Sequence, residues 1–204
     1  MDIRIGFGYD SHAFEPGVPL HLGGLKMDHP EGLAGHSDGD VLLHAVTDAL
    51  LGAVAAGDIG SFFPPGDPRW KGADSAIFLN LAMEELQNAG YRIANVDVTL
   101  ILKAPKISPI APEMRARVAD LLNVEIGQIS IKAKTPEGLG LDHVAQCHAV
   151  ALVERVPEPD ELMSMSAVIE SQRQLEDVVE DLLSSVHGVP KKRGVPVYDT
   201  EDIT

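Results

Sequence analysis

Apolar positions along the first 156 residues switch between a two-residue and a three-to-four-residue period, and the switches mark the elements. "IRIGFGYDSH" alternates apolar with small or polar residues and predicts a first strand running into a loop; "PLHLGGLKM" predicts a hairpin around Gly23-Gly24. "HSDGDVLLHAVTDALLG" turns to helical spacing, with Ser37 or Asp38 as candidate N-caps, Val41, Leu42, Val46, Leu50 and Leu51 as its apolar stripe, and Gly57 near its end. The prolines and glycines of "FFPPGDPRWKGA" predict a loop. A helix capped by Asp74 or Ser75 follows to about Ala89, closed by Gly90. "NVDVTLILKAP" alternates Val96, Val98, Leu100 and Leu102 against Asp97, Thr99 and Ile101, a strand with a deeply buried face. "PEMRARVADLL" predicts a third helix, and "ISIKAKT" and "CHAVALVERV" two last strands. This mixed order predicts an α/β or α+β domain, a mixed four-stranded sheet covered by helices on one face.

Beyond "PEPDELMSM" the pattern changes again. Met165, Val168, Gln172, Leu175, Val179, Leu182 and Val186 fall at alternating spacings of three and four, which predicts a helix over about 160–187 with a heptad-like stripe. Residues 157–204 hold eleven Asp or Glu against four Lys or Arg, so the extension carries −7 of the formal net charge of −15. Repulsion among Glu176, Asp177, Glu180 and Asp181 argues for docking of this helix on its own subunit rather than a free coiled coil. The segment beyond Gly188 reads as a flexible tail. The chain thus divides into a domain over 1–156 and an acidic extension over 157–204.

Net charge narrows the partners: −15 disfavours nucleic acid and anionic membrane surfaces, while leaving room for a phosphorylated substrate neutralised locally. Cys147 is the sole cysteine, so no intrachain disulfide forms, and no apolar run approaches the ~20 residues of a membrane span. With no signal-peptide pattern at the N-terminus, these features predict a cytoplasmic protein.

The chemistry sits where the apolar pattern is interrupted. His36, Asp40, His44 and Asp48 recur every four residues, the spacing that stacks side chains on one helix face. Asp10 and His12, two apart on a strand, share a face; with one helical His they offer an oxygen and two nitrogens, the donor set of an open, catalytic zinc site. Read singly, an Asp-Xaa-His is more often a turn, and a helical His a satisfied surface or core residue. "SDG" offers N–H groups to an anion, "APK" (Ala104–Lys106) supplies a cation in a loop, and "KAKTPEGLG" presents Lys132, Lys134, Thr135 and Glu137 at a strand end.

The blocks "GYDSHAF", "GLAGHSDGDVLLHAVTDALLGAVAAGDIGSFFPPGDPRWKGADS", "NVDVTLILKAPK" and "IKAKTPEGLG" resemble the 2-C-methyl-D-erythritol 2,4-cyclodiphosphate synthase family of the non-mevalonate isoprenoid pathway, over roughly residues 3–155. The resemblance implies conversion of 4-diphosphocytidyl-2-C-methyl-D-erythritol 2-phosphate to the cyclic diphosphate with release of CMP. It implies a homotrimer with sheets around a central channel and active sites between subunits. Asp10, His12 and His44 match the ligands of a divalent metal, usually Zn2+, and Glu137 a ligand of Mg2+ or Mn2+ held with the diphosphate. His36 and Thr135 match transition-state-stabilising residues, and Ser37 accompanies His36. Asp58, Ile59 and Gly60 match the segment that binds the methylerythritol unit, with Phe63 and Asp67 as further substrate contacts. Ala104, Pro105, Lys106, Ile107 and Lys134 match the nucleotide and diphosphate side. The pattern departs at Pro65, an Asp in many members, and at the short Leu141–Gln146 loop, which lacks a Phe and an Arg that line the channel in many members.

The implied reaction is an intramolecular phosphoryl transfer, in which positioning and charge neutralisation outweigh covalent chemistry. In that scheme Asp40 steers a histidine N–H from behind the metal ligands. The competing readings are a metal-dependent phosphohydrolase on the same ligands and a non-enzymatic trimeric metal-binding protein whose acidic tail recruits a partner.

Overall fold

The computed structural model describes residues 2–64, 66–157 and 159–187, and divides into two compact units, Met1–Val156 and Pro157–Thr204. Pro65 and the segment beyond Gly188 lie outside the described residues.

In the first unit β1 (Ile3–Pro16) leads into a hairpin of β2 (Leu20–Leu22) and β3 (Leu25–Met27), then β4 (Glu31–Leu33). Helices α1 (Val41–Ala53), α2 (Ile59–Phe62) and α3 (Ala76–Asn88) precede β5 (Tyr91–Ile101). Helix α4 (Ala111–Leu122), β6 (Ile129–Lys134) and β7 (Val144–Arg155) complete the unit. The sheet has five strands rather than the four expected, in the order β4-β1-β7-β5-β6; β5 and β6 run parallel and the other neighbours antiparallel. The added strand is β4, whose three residues are too few to show a period; it pairs with the end of β1, which runs on to Pro16.

The expected alternation holds in β5, where Val96, Val98, Leu100 and the following Leu102 are buried. In β1 the alternation has a second purpose. Gly6 and Gly8 lie under α1, where an added Cβ would come within 1.7 Å of the Ala49 carbonyl oxygen and 1.9 Å of that of Ala45. The two glycines therefore let α1 rest on the strand backbone itself. Their neighbours on the same face further along β1 are Asp10 and His12, so the close approach carries α1 onto the chemistry.

Helix α1 starts later than its sequence pattern suggests. Its N-cap is Asp40, not Ser37 or Asp38, so His36 and Asp40 lie ahead of the helix and only His44 and Asp48 share its surface. The Asp40 carboxylate accepts hydrogen bonds from the N–H groups of Leu42 and Leu43 and, across the fold, from Gly23 (2.9 Å) and Gly24 (2.7 Å). It ties the β2–β3 hairpin to the start of α1 and touches no histidine, which corrects the role expected for it. The helix also ends at Ala53, short of Gly57. Helix α3 begins after Ser75, whose hydroxyl is engaged elsewhere; Asp74 accepts from the Ala76 N–H.

Among the described residues of this unit, no helix covers the opposite sheet face. Ile3, Ile5, Phe7 and Tyr9 of β1 stay exposed there, Ile5 at 68% and Phe7 at 61%, beside Val150 of β7. In the second unit, α5 runs from Pro159 to His187. No helix among the described residues is long and apolar enough to cross a membrane.

Candidate metal and phosphate site

Asp10, His12 and His44 converge, with their ligand atoms all within 4.8 Å of one another. Asp10 Oδ2 lies 2.8 Å from His12 Nε2 and 2.9 Å from His44 Nδ1, and the two ring nitrogens are 3.2 Å apart. Both rings are held from behind. His12 Nδ1 faces the Ala34 carbonyl oxygen at 2.5 Å, a partner that can only accept, so in the neutral ring that nitrogen carries the proton and Nε2 is left with a lone pair. His44 Nε2 lies 2.8 Å from the hydroxyl of Ser75, which itself donates to Asp38, and 3.1 Å from that of Ser37. A hydroxyl that donates to a carboxylate accepts from the ring, so the His44 proton sits on Nε2 and Nδ1 is free to coordinate. Two lone-pair nitrogens and one carboxylate aimed at a common point fit a divalent metal with N and O ligands.

Burial works to raise the Asp10 pKa, but hydrogen bonds from His12 and His44 outweigh it and hold the carboxyl well below its ordinary range. Burial likewise works to lower His12, and the hydrogen bond to Asp10 outweighs that and raises it. Without a cation between them the Asp10 carboxylate and the His12 ring favour the charged, paired state, and a metal would take the place of the proton they share.

Beside this group lies a cavity of about 140 Å³ lined by His36, Ser37, His44, Ile59, Gly60, Phe63, Trp70 and Phe78. Six of these were singled out by the sequence; Trp70 and Phe78 were not. The three aromatic rings stack on one another, with Phe63 4.4 Å from Phe78 and 4.8 Å from Trp70 between ring centres, and form an apolar wall. His36 is exposed, its Nε2 donating to the Asp67 carbonyl oxygen at 2.8 Å. Asp58 is outside the lining: it caps α2, accepting from the N–H and hydroxyl of Ser61, which lower its pKa. The Asp67 carboxylate is bound by Arg69 at 2.6 and 2.9 Å. Asp48 accepts from the Ile59 N–H at 2.8 Å and so ties the Ile59–Gly60 segment to α1; its burial raises its pKa.

The remaining predicted residues gather at the far side of the sheet. The Leu102 N–H donates to the Lys134 carbonyl oxygen, which lays the 102–107 loop beside 134–137. Pro105 follows Ala104 through a cis peptide, Ile107 is buried, and Lys106 and Lys134 are exposed. The Thr135 hydroxyl donates to the Glu137 carboxylate. This second group does not reach the first. Asp10 pairs with Cys147, Cys147 with Leu100 and Leu100 with Ala133, three interstrand steps that place the two groups about 14 Å apart at one end of the sheet.

The pattern that defines the YgbB family matches residues 3–154, three-quarters of the chain and both groups of residues. The chain belongs to the YgbB family. It is 60% identical over 153 residues to the 2-C-methyl-D-erythritol 2,4-cyclodiphosphate synthase of Koribacter versatilis, covering 75% of this chain and 99% of that one. It is 47% identical over 158 residues to the chloroplastic enzyme of that name from Oryza sativa, covering 76% and 71%. A solved 2C-methyl-D-erythritol-2,4-cyclodiphosphate synthase with CDP bound superposes with a TM-score of 0.70 at 41% identity, over 74% of this chain and all of the other. The family pattern ends at residue 154, ahead of α5.

Proposed function

We propose that the chain converts 4-diphosphocytidyl-2-C-methyl-D-erythritol 2-phosphate to 2-C-methyl-D-erythritol 2,4-cyclodiphosphate and CMP, in isoprenoid precursor synthesis. The observation that carries this reading is the Asp10–His12–His44 group beside the His36–Phe63–Trp70 cavity, in a chain aligned with nearly the whole of a relative bearing that activity's name. An oxygen of the 2-phosphate attacks the β-phosphorus. The bond from that phosphorus to the oxygen bridging the α-phosphate breaks, and CMP leaves with the electron pair. Asp10, His12 and His44 would hold Zn2+, and Glu137 would offer a carboxylate to Mg2+ or Mn2+. Bound there, the cations supply charge neutralisation for two anionic groups that must meet.

The chain's own residues bind and orient. The wall of Phe63, Trp70 and Phe78 packs the apolar side of the methylerythritol unit, and the Ile59–Gly60 backbone, steadied by Asp48, borders its hydroxyls. His36 and Ser37 orient the attacking phosphate. Lys106 and Lys134 attract the diphosphate, and the Thr135 hydroxyl holds it by hydrogen bond. Because the two groups lie about three strands apart in one subunit, we assign the complete site to a homotrimer in which one subunit's metal group meets its neighbour's nucleotide group. The exposed Ile5, Phe7 and Tyr9 face supplies the apolar contact for that assembly. A cytoplasmic setting accords with a single, buried cysteine.

The test is phosphorus NMR of the purified protein with the cytidine diphosphate substrate. Equal amounts of cyclic diphosphate and CMP are expected; a linear phosphate product would show water as the nucleophile and make the protein a phosphohydrolase.

A further inference from the structure

Helix α5 follows β7 after three intervening residues and lies beyond the residues that the family pattern matches. Between residues 169 and 183 its apolar side chains are exposed, Leu175 at 65%, Val178 at 56% and Val179 at 52%. Its heptad register is set by Gln172 and Val179 at the first core position (a) and by Leu175 and Leu182 at the second (d). Ile169, Val178 and Leu183 then fall on the two flanks of that seam. The apolar surface is therefore wider than a two-stranded seam needs and can meet two neighbours at once.

The same register reverses the expectation drawn from charge. Glu170, Asp177, Glu180 and Asp181 fall on the far side of the helix, away from the seam. Only Glu176 borders it, and the position facing it on a parallel, in-register neighbour is Ser171. The acidic residues thus keep the outer face wetted and do not oppose self-association. Gln172 points to the occupant: a core-position amide has both donor and acceptor, and it is matched by the same residue of an identical helix in the same register.

We propose that α5 is a second assembly element, in which the helices of three subunits pack in parallel and in register through Leu175, Val178, Val179 and Leu183, with Gln172 as a polar layer. The proposal rests on the trimer reading above: sheets assembled about one axis deliver three identical helices from equivalent β7 ends, at an effective concentration no free helix reaches. Helices in proteins draw most of their stability from packing an apolar face rather than from propensity, so assembly and helix formation are coupled.

The test uses the full chain with single cysteines. Leu175→Cys places a thiol in the seam and Asp177→Cys places one on the outer face; native Cys147 is wholly buried, and burial pushes its thiol pKa up, so it stays silent. Under copper-phenanthroline oxidation at micromolar concentration, Leu175→Cys is expected to form interchain disulfides at least tenfold faster than Asp177→Cys. Equal rates in a protein that sediments as a trimer would overturn the helix bundle, as docking on the helix's own subunit would produce, and leave the sheet-mediated trimer standing. A second variant, Leu175→Asp with Val179→Asp, should lose helicity at 222 nm while still sedimenting as a trimer. Monomers from that variant would uphold the bundle and refute the sheet face as sufficient for assembly; wild-type monomers would refute both.

Discussion

At the scale of single residues, Ser75 holds the His44 ring from 31 positions further along the chain. Ser75 is wholly buried, accepts a hydrogen bond from His44 Nε2 and donates one to Asp38, so it selects the tautomer in which Nδ1 is free to coordinate. Ser75→Ala removes that selection, although Ser37 still lies 3.1 Å from Nε2. Metal affinity measured by competition with a chelator should fall about 10–100-fold, the usual effect of losing such a supporting bond. His44→Ala, which deletes a ligand, should leave far less than one equivalent of metal by elemental analysis. Unchanged affinity in Ser75→Ala would mean that Ser37 alone fixes the ring. Thr135→Ala should behave in the opposite way, keeping metal and fold while turnover falls about 100-fold, because its hydroxyl lies with Glu137 in the group proposed to bind the nucleotide. Asp10, His12 and His44 were legible because two share a strand face and the third sits on a helix that must bury its other face. Ser75 and Asp38 were not, because they lie 31 residues after and six before His44 and only the folded chain joins them. The four-residue rhythm of His36, Asp40, His44 and Asp48 misled for a physical reason: the helix begins after Asp40, so half of the rhythm is loop.

At the scale of elements, period and punctuation located each long strand and helix, and failed where an element is too short to have a period: β4 with three residues and α2 with four. What the pattern could not convey is distance between layers. Gly6 and Gly8 read in sequence only as small positions in an alternation, yet they set how closely α1 lies on β1 and hence whether His44 reaches Asp10. Gly8→Ala places a methyl group 1.9 Å from the Ala45 carbonyl oxygen, one residue from His44. Backbone cannot yield there as a flexible side chain would, so the helix must lift. A stability loss of about 3 kcal/mol by denaturant titration is expected, the upper end for overpacking. Metal affinity should fall with it, since the displaced element carries a ligand. Gly17→Ala, at a turn with no atom within 4 Å of the added Cβ, is the control for a glycine kept only for its positive φ: it should cost stability without moving metal affinity. Equal metal affinity in Gly8→Ala and the wild type would show that α1 position is not what brings the ligands together.

At the scale of the whole molecule, a subunit holds both halves of the proposed site but not at one place, and that separation makes a quantitative test. His44→Ala disables the metal half and leaves Thr135 and Glu137 intact; Thr135→Ala disables the nucleotide half and leaves Asp10, His12 and His44 intact. In the proposed trimer, each variant alone leaves every site defective. Coexpressed in equal amounts with distinguishable tags, the two form mixed trimers. A site between subunits is whole only where the metal half comes from a Thr135→Ala chain and the nucleotide half from a His44→Ala chain. Random assembly in a closed ring makes about one site in four whole, so the mixture should recover about a quarter of wild-type turnover. If each site were built within one subunit, no arrangement of the two chains could restore it, and activity in the mixture would stay at the level of the separate variants. Recovery would also account for the apolar sheet face carrying Ile5, Phe7 and Tyr9: the proposed contact that brings together halves about three strands apart would be the one that covers that face.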